Sequence, residues 1–225
     1  MSKPLSRMQI AWRVAQDIDN GCVVNLGAGM PTMVSDFLPA GREVMFHAEN
    51  GILGIGPKAA KGKEDPDVIN AGGQAVTLLP GGSYFHHADS FAMIRGGHID
   101  IAVLGAYEVS AQGDLANWHL PDSNVTPAVG GAMDLAACAH RLFVMMDYCS
   151  RDGTPKILKQ CTLPLTARRC VNSIYTDLAV VDVIADGLVV REIIEGLDLK
   201  TLQDKTGAPI RLADNWRILS APDIS

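Results

Sequence analysis

The 225-residue sequence has little of what marks a membrane, secreted or nucleic-acid-binding protein. No run approaches the roughly 20 apolar residues of a membrane span. The opening MSKPLSRMQIAWRVAQDI has no signal-peptide core, and Asp17 and Asp19 argue against a transit peptide. Positive charge is not in excess: the net charge is −6. That balance gives no electrostatic reason to expect nucleic acid or an anionic membrane as partner. The five cysteines (Cys22, Cys138, Cys149, Cys161 and Cys170) include no CxxC and no zinc spacing. An odd number on apolar segments fits buried thiols in a reducing cytoplasm. No metal site is expected: His86 and His87 point apart on any regular element, and His47 has no third ligand at suitable spacing. Ser83, Ser90 and Ser110 lack a GxSxG elbow, which disfavours a serine hydrolase.

What the chain does have is alternation of strand and helix signals. Hydrophobic residues make up 48% and charged residues 20%, enough to build a core without disulfide or metal support. Ile10, Ala11, Val14, Ala15 and Ile18 fall at helical spacing, so the chain opens on an amphipathic helix. CVVNL (22–26) reads as a strand, followed by a helix over 31–38 with Pro31 in its first turn. EVMFHAE is a second strand, and NGILGIGPKAAKGKEDPDV has too much Gly, Pro and Lys for regular structure. AVTLL (75–79) is a strand closed by Pro-Gly-Gly, and HHADSFAMIRGG a helix starting near Asp89 or Ser90.

HIDIAVLGA and RLFVMMDY (141–148) are almost fully apolar, as strands buried on both faces of a parallel sheet are. A turn at SNVTP precedes a helix over 132–139. LAVVDVIADGLVVREI reads as a hairpin turning at Ala-Asp-Gly, and LKTLQDKTG as a short helix ending on Gly207. The expected architecture is one α/β domain over residues 1–225, with a mainly parallel central sheet flanked by helices and a small antiparallel C-terminal addition.

In such sheets ligands gather at the carboxyl ends of strands. Glu49 stands there, at the end of VMFHAE and just before Asn50-Gly51. At period 2, Met45, His47 and Glu49 share one face, and Val44, Phe46 and Ala48 the other. Spacing alone leaves Glu49 either a solvent-facing cap of the turn or a working carboxylate. Gly51, Gly54 and Gly56, which let a large ligand approach the backbone, lean towards the second.

NLGAGMPT offers the N–H groups of a glycine turn at Gly27 and Gly29. It also begins like a dinucleotide GxGxxG with Glu49 as the ribose acid, but Thr32 occupies the third glycine position. Gly130–Gly131 is either a tight loop before a helix or a pair of unobstructed N–H groups suited to an oxyanion. Asn117–Trp118–His119 lies on a loop that could line a pocket.

Taken together, HAENGILGIGP, NLGAGMPT, DPDVINAGGQ, SFAMIRGGHIDIAVLGA, GDLANW, GGAMDL, CTLPLT and LQDKTG resemble, in the same order, the β subunit of family I 3-oxoacid CoA-transferases. The branch with the greatest likeness acts on 3-oxoadipate. The succinyl-CoA:acetoacetate branch shares most of these residues. The resemblance implies that Glu49 is the catalytic carboxylate and passes through a glutamyl-CoA thioester. It further implies that Gly130, Gly131 and Asn50 shape an oxyanion loop and that Gly27, Gly29 and Gly51 border the CoA pocket.

On this resemblance no cofactor or metal is needed, because coenzyme A enters as a thioester substrate. The partners expected are an α subunit, in a heterodimer or α2β2 assembly, together with acyl-CoA and 3-oxoacid substrates. No such α half is present in this sequence, so inactivity alone is the expectation. Arg95 and Arg151 are the cations considered for a second substrate carboxylate.

Overall fold

In a computed structural model, residues 3–121 and 126–224 are described; residues 123–125 of the expected SNVTP turn lie outside them. The elements, in order, are α1 (Arg7–Gln16), β1 (Val23–Leu26), a 3-10 helix (Met30–Phe37), β2 (Met45–Ala48), β3 (Ile52–Lys58) and β4 (Val76–Tyr84). Then come α2 (His87–Arg95), β5 (Ile101–Gly105), β6 (Glu108–Ser110), β7 (Leu115–Ala116), α3 (Ala132–Cys138) and β8 (Arg141–Met145). The chain closes with β9 (Ile157–Leu158), β10 (Val171–Tyr175), β11 (Ala179–Ile184), β12 (Gly187–Ile194), α4 (Leu199–Asp204) and β13 (Ile210–Leu219).

Ten strands form one sheet in the order β13-β12-β11-β10-β8-β5-β1-β2-β3-β4. Its centre, β2-β1-β5-β8-β10, is wholly parallel. Alternation along β5 and β8 explains why, Arg141 apart, their sequences are apolar at successive positions. Ala102, Leu104, Leu142 and Val144 enter one core, while Ile101, Val103, Phe143 and Met145 enter the other beneath α1 and the 3-10 helix. The mainly parallel α/β sheet expected from the sequence is what the chain adopts.

Three local expectations need correction. The helix expected over 31–38 is a 3-10 helix over Met30–Phe37 rather than an α-helix. The glycine-rich stretch after Glu49 is a strand, β3, paired antiparallel with both β2 and β4. AVTLL does not stop at Pro-Gly-Gly, since β4 continues through Pro80, Gly81 and Gly82 to Tyr84. β4 is an edge strand, so Pro80 needs no ladder donor there. The glycines permit contact between the two backbones: a Cβ on Gly54 would lie 2.9 Å from the Gly82 Cα.

The antiparallel additions therefore flank both sides of the parallel core. β10-β11-β12 makes the C-terminal one, turning at Ala185–Asp186 as the sequence predicts, and β13 then pairs parallel to β12.

α1 is held to the sheet by more than its apolar stripe. Arg13, on its buried side, donates to both Glu192 oxygens on β12 (2.8 and 2.6 Å). Arg217 on β13 adds two more bonds to Glu192 Oε1. Burial pushes the Glu192 carboxyl up, but the hydrogen bonds and charges of Arg13 and Arg217 outweigh it and hold the group below the usual range. Glu192→Gln leaves Arg13 buried with half its compensation, and we expect a loss of about 3–5 kcal/mol in urea unfolding.

Candidate active site

β2 ends at Ala48, and Glu49, Asn50 and Gly51 turn the chain into β3, with Ala48 paired to Ile52. Gly51 closes the turn by donating its N–H to Ala48 C=O at 3.0 Å. It has φ 112°. A Cβ there would lie 2.2 Å from the Phe85 carbonyl oxygen, so only glycine fits this turn beneath the start of α2.

The strand end is pinned from below by three polar side chains in sequence. Asn25 on β1 donates its amide to His47 Nδ1 at 3.0 Å, and His47 Nε2 faces Ser90 Oγ on α2 at 3.0 Å. Ser90 in turn donates to the Ala48 carbonyl at 3.2 Å. With Asn25 as donor, the His47 proton resides on Nε2, and every group in the chain finds a partner as a neutral molecule.

Burial lowers the His47 pKa to about 4, from an ordinary 6.5. A depressed histidine adds stability that is complete above 6.5 and is lost as pH falls towards 4. We expect His47 to account for about 3 kcal/mol of acid destabilisation in that window. Stepped-pH urea unfolding of His47→Asn should give a flatter acid limb.

Glu49 itself is half-buried. Its carboxylate packs against Gly131, the residue preceding α3. A Cβ on Gly131 would fall 2.0 Å from Glu49 Oε2 and 3.1 Å from the Phe91 ring. Burial raises the Glu49 carboxyl above its ordinary value; the charge of His87 opposes this and that of Asp134 adds to it. A carboxylate stripped of part of its water and held without a counter-ion pair is a stronger nucleophile than a solvated one.

Glu49 faces a cavity of about 440 Å³. The cavity lies at the carboxyl ends of β1, β5 and β8, where its walls include Gly27, Gly105 and Met146. Gly130 and Gly131 line it beside Glu49, and among the described residues no hydrogen bond takes up either N–H. Asn117 also lines it, with its own amide bound to Gly105 C=O and Thr166 Oγ1, whereas Trp118 and His119 do not.

The other sequence-derived positions stand apart from this constellation. Gly27 touches the cavity, but its N–H is taken by Val103 C=O. Gly29, at φ 85°, accepts from Thr32 and does not line the cavity. Asn50 donates to Ile69 C=O at 2.8 Å, tying the turn to the loop before β4. Arg95 is on the surface, paired with Asp134 at 2.7 Å. Arg151 is exposed on a turn and is not part of the lining.

Sequence reasoning missed the His47–Ser90 link and two lining cations, Arg7 and Lys156. His47 sharing a face with Glu49 was the only available hint. Among the described residues no group of three or more His, Cys, Asp or Glu could hold a metal, and no helix is long and apolar enough to cross a membrane. The five cysteines are unpaired and half-buried rather than fully buried. Burial pushes the Cys161 and Cys170 thiols up to about 12, which keeps them protonated.

A parallel sheet thus presents a partly desolvated carboxylate beside a glycine pair, in the wall of a cavity at its strand ends. Comparison with known proteins gives the class: the chain belongs to the coenzyme A transferase family, whose model matches residues 7–204. It is 56% identical over 210 residues to a subunit of the 3-oxoadipate CoA-transferase of Pseudomonas putida, covering 93% of this chain and 98% of that one. The corresponding 3-oxoadipate CoA-transferase chain of Acinetobacter baylyi is 54% identical over 206 residues, covering 92% and 95%. Among solved structures, an acyl-CoA transferase from Escherichia coli O157:H7 superposes with a TM-score of 0.74 at 18% identity. That match covers 98% of this chain and spans 44% of that longer one, showing a common fold.

Proposed function

We propose that this chain is the Glu49-bearing subunit of a 3-oxoacid CoA-transferase that moves CoA from succinyl-CoA to 3-oxoadipate and works with a second, α-type subunit. The observation that carries the reading is the Glu49 carboxylate, half-buried at a strand end and packed on Gly131 in the wall of the cavity. The names of the Pseudomonas and Acinetobacter relatives support the acceptor and the two-subunit organisation.

In this mechanism the ionised Glu49 needs no general base. Its oxygen attacks the thioester carbonyl of the donor, the C–S bond breaks, and a mixed anhydride and CoA thiolate result. The thiolate then attacks the glutamyl carbonyl and expels succinate, leaving a glutamyl-CoA thioester. The acceptor carboxylate reverses both steps. Each addition places negative charge on a carbonyl oxygen at Glu49 or at the acyl group. The N–H groups of Gly130 and Gly131, without a hydrogen-bond partner among the described residues, line the cavity beside Glu49, and preorganised donors of this kind lower such barriers. The neutral Asn25–His47–Ser90 chain adds no competing charge beneath the nucleophile and holds the Ala48 carbonyl still.

The test is a mass measurement on the complex with its partner subunit after incubation with succinyl-CoA and no acceptor. The Glu49 peptide should carry CoA and lose it faster to 3-oxoadipate than to acetoacetate. Faster discharge by acetoacetate would reassign the acceptor. An unmodified Glu49 in a folded complex that binds acyl-CoA would make the carboxylate structural.

A further inference from the structure

The cavity that Glu49 faces is also lined by Arg7, at the start of α1, and Lys156, just before β9. Lys156 is half-buried, and among the described residues its ammonium has no hydrogen bond and no ion pair. A cation withdrawn from water without a partner is costly, so such a group is retained where an anion arrives to compensate it. The acids around it do not perform that role. Asp147, also in the lining, makes a long 3.8 Å contact with the exposed Arg7 instead, and Asp177 accepts from the Tyr148 N–H. Burial lowers the Lys156 pKa, while Asp147, Asp177 and Cys149 push it up and Arg7 pushes it down. The two arginines considered from sequence are elsewhere, one paired with Asp134 and one on an exposed turn.

We infer that Lys156, flanked by Arg7, anchors a second carboxylate of the substrate, so that the cavity selects dicarboxylic acids whose other carboxyl reacts at Glu49. The inference rests on the CoA-transfer reading for its reactive end, but the anchor itself is a binding statement. Succinate and 3-oxoadipate each carry a free carboxylate when the other is activated. That charge must enter the cavity with the reacting group, and a cation in the same lining both compensates it and fixes the acid's orientation. A monocarboxylic acceptor has nothing to place there.

Two measurements on the complex with the partner subunit decide the matter. In the first, Lys156→Gln and Lys156→Arg are assayed for transfer to 3-oxoadipate and to acetoacetate. Removing one charge-assisted hydrogen bond should lower kcat/KM for 3-oxoadipate roughly 10- to 100-fold in Lys156→Gln. Acetoacetate should lose less than about threefold, and Lys156→Arg should recover most of the difference. Equal losses with both acceptors would overturn the proposal, because that is what a CoA contact or a packing defect gives.

The second measurement needs no turnover: calorimetric titration with adipate, an unreactive dicarboxylate, and with hexanoate. Adipate should bind the unsubstituted complex more tightly than hexanoate does, and Lys156→Gln should remove that preference. Failure of adipate to bind, or a preference that survives the substitution, overturns the anchor. If the unsubstituted complex transfers no CoA while adipate binding still depends on Lys156, the transfer reading fails and the anchor stands.

Discussion

Gly131→Ala should leave the chain folded and cut CoA transfer at least about 100-fold, the scale of a 1 Å misplacement of a reacting group. The new methyl would meet Glu49 Oε2 at 2.0 Å and Cδ at 2.8 Å, with the Phe91 ring next at 3.1 Å. Gly131 does not have a positive φ, so alanine is tolerated by the backbone itself. The atoms in the way belong to the end of a flexible side chain, which can swing aside at little cost in stability. The position it must leave is the one beside the Gly130–Gly131 N–H groups. Stability and activity should therefore separate: a urea midpoint near that of the unsubstituted chain, with a large drop in kcat. Unimpaired transfer would show that the carboxylate works from another rotamer.

Glu49→Gln should have an even larger effect on rate, at least about 10⁴-fold, since it removes the nucleophile while keeping the shape. The same substitution should stabilise the isolated chain at neutral pH. Burial raises the Glu49 carboxyl pKa in the fold, so the folded chain holds this proton more tightly than the unfolded one. The stability that proton linkage supplies is complete below the ordinary value of 4.5 and is lost as pH rises through the folded value. Glutamine loses nothing on that rise. Its melting temperature should therefore exceed that of the unsubstituted chain at neutral pH, with the gap closing as pH approaches 4.5. A variant that is inactive and also less stable at neutral pH would mean that His87 and other neighbours favour the charged form more than burial opposes it.

These two expectations share one cause. The fold holds a carboxylate where water solvates it poorly, which raises its pKa, and the reaction proposed for it uses that same carboxylate. His47, directly beneath, shows the opposite adjustment. It is kept neutral by the same burial and links Asn25 to Ser90.

Much of this was legible in one dimension. The apolar runs at Ile101–Gly105 and Arg141–Met145 could only be strands covered on both faces, and that dictated the parallel centre of the sheet. Glu49 at a strand end before Asn-Gly, and glycine pairs ahead of a helix, were visible as local patterns, because strand period and turn chemistry are short-range properties. The edge ribbon was not. β3 and β4 contain glycines and a proline that local propensity reads as loop, and they become strands only because Gly54 and Gly82 let two backbones approach across the ribbon.

Long-range partners escaped for the same reason. Nothing adjacent to Arg13 says that Glu192 will meet it across 179 residues, and nothing near Gly131 says that its missing Cβ is the space for Glu49 Oε2. Lys156 gave no local signal at all, lying in a polar turn like several other lysines. The amino-acid order fixed which residues could strand, turn and carry charge. Tertiary packing alone decided which of those charges lost part of their water, Glu49 at its strand end and Lys156 in the cavity lining, because burial is set by contacts between distant segments and not by local sequence.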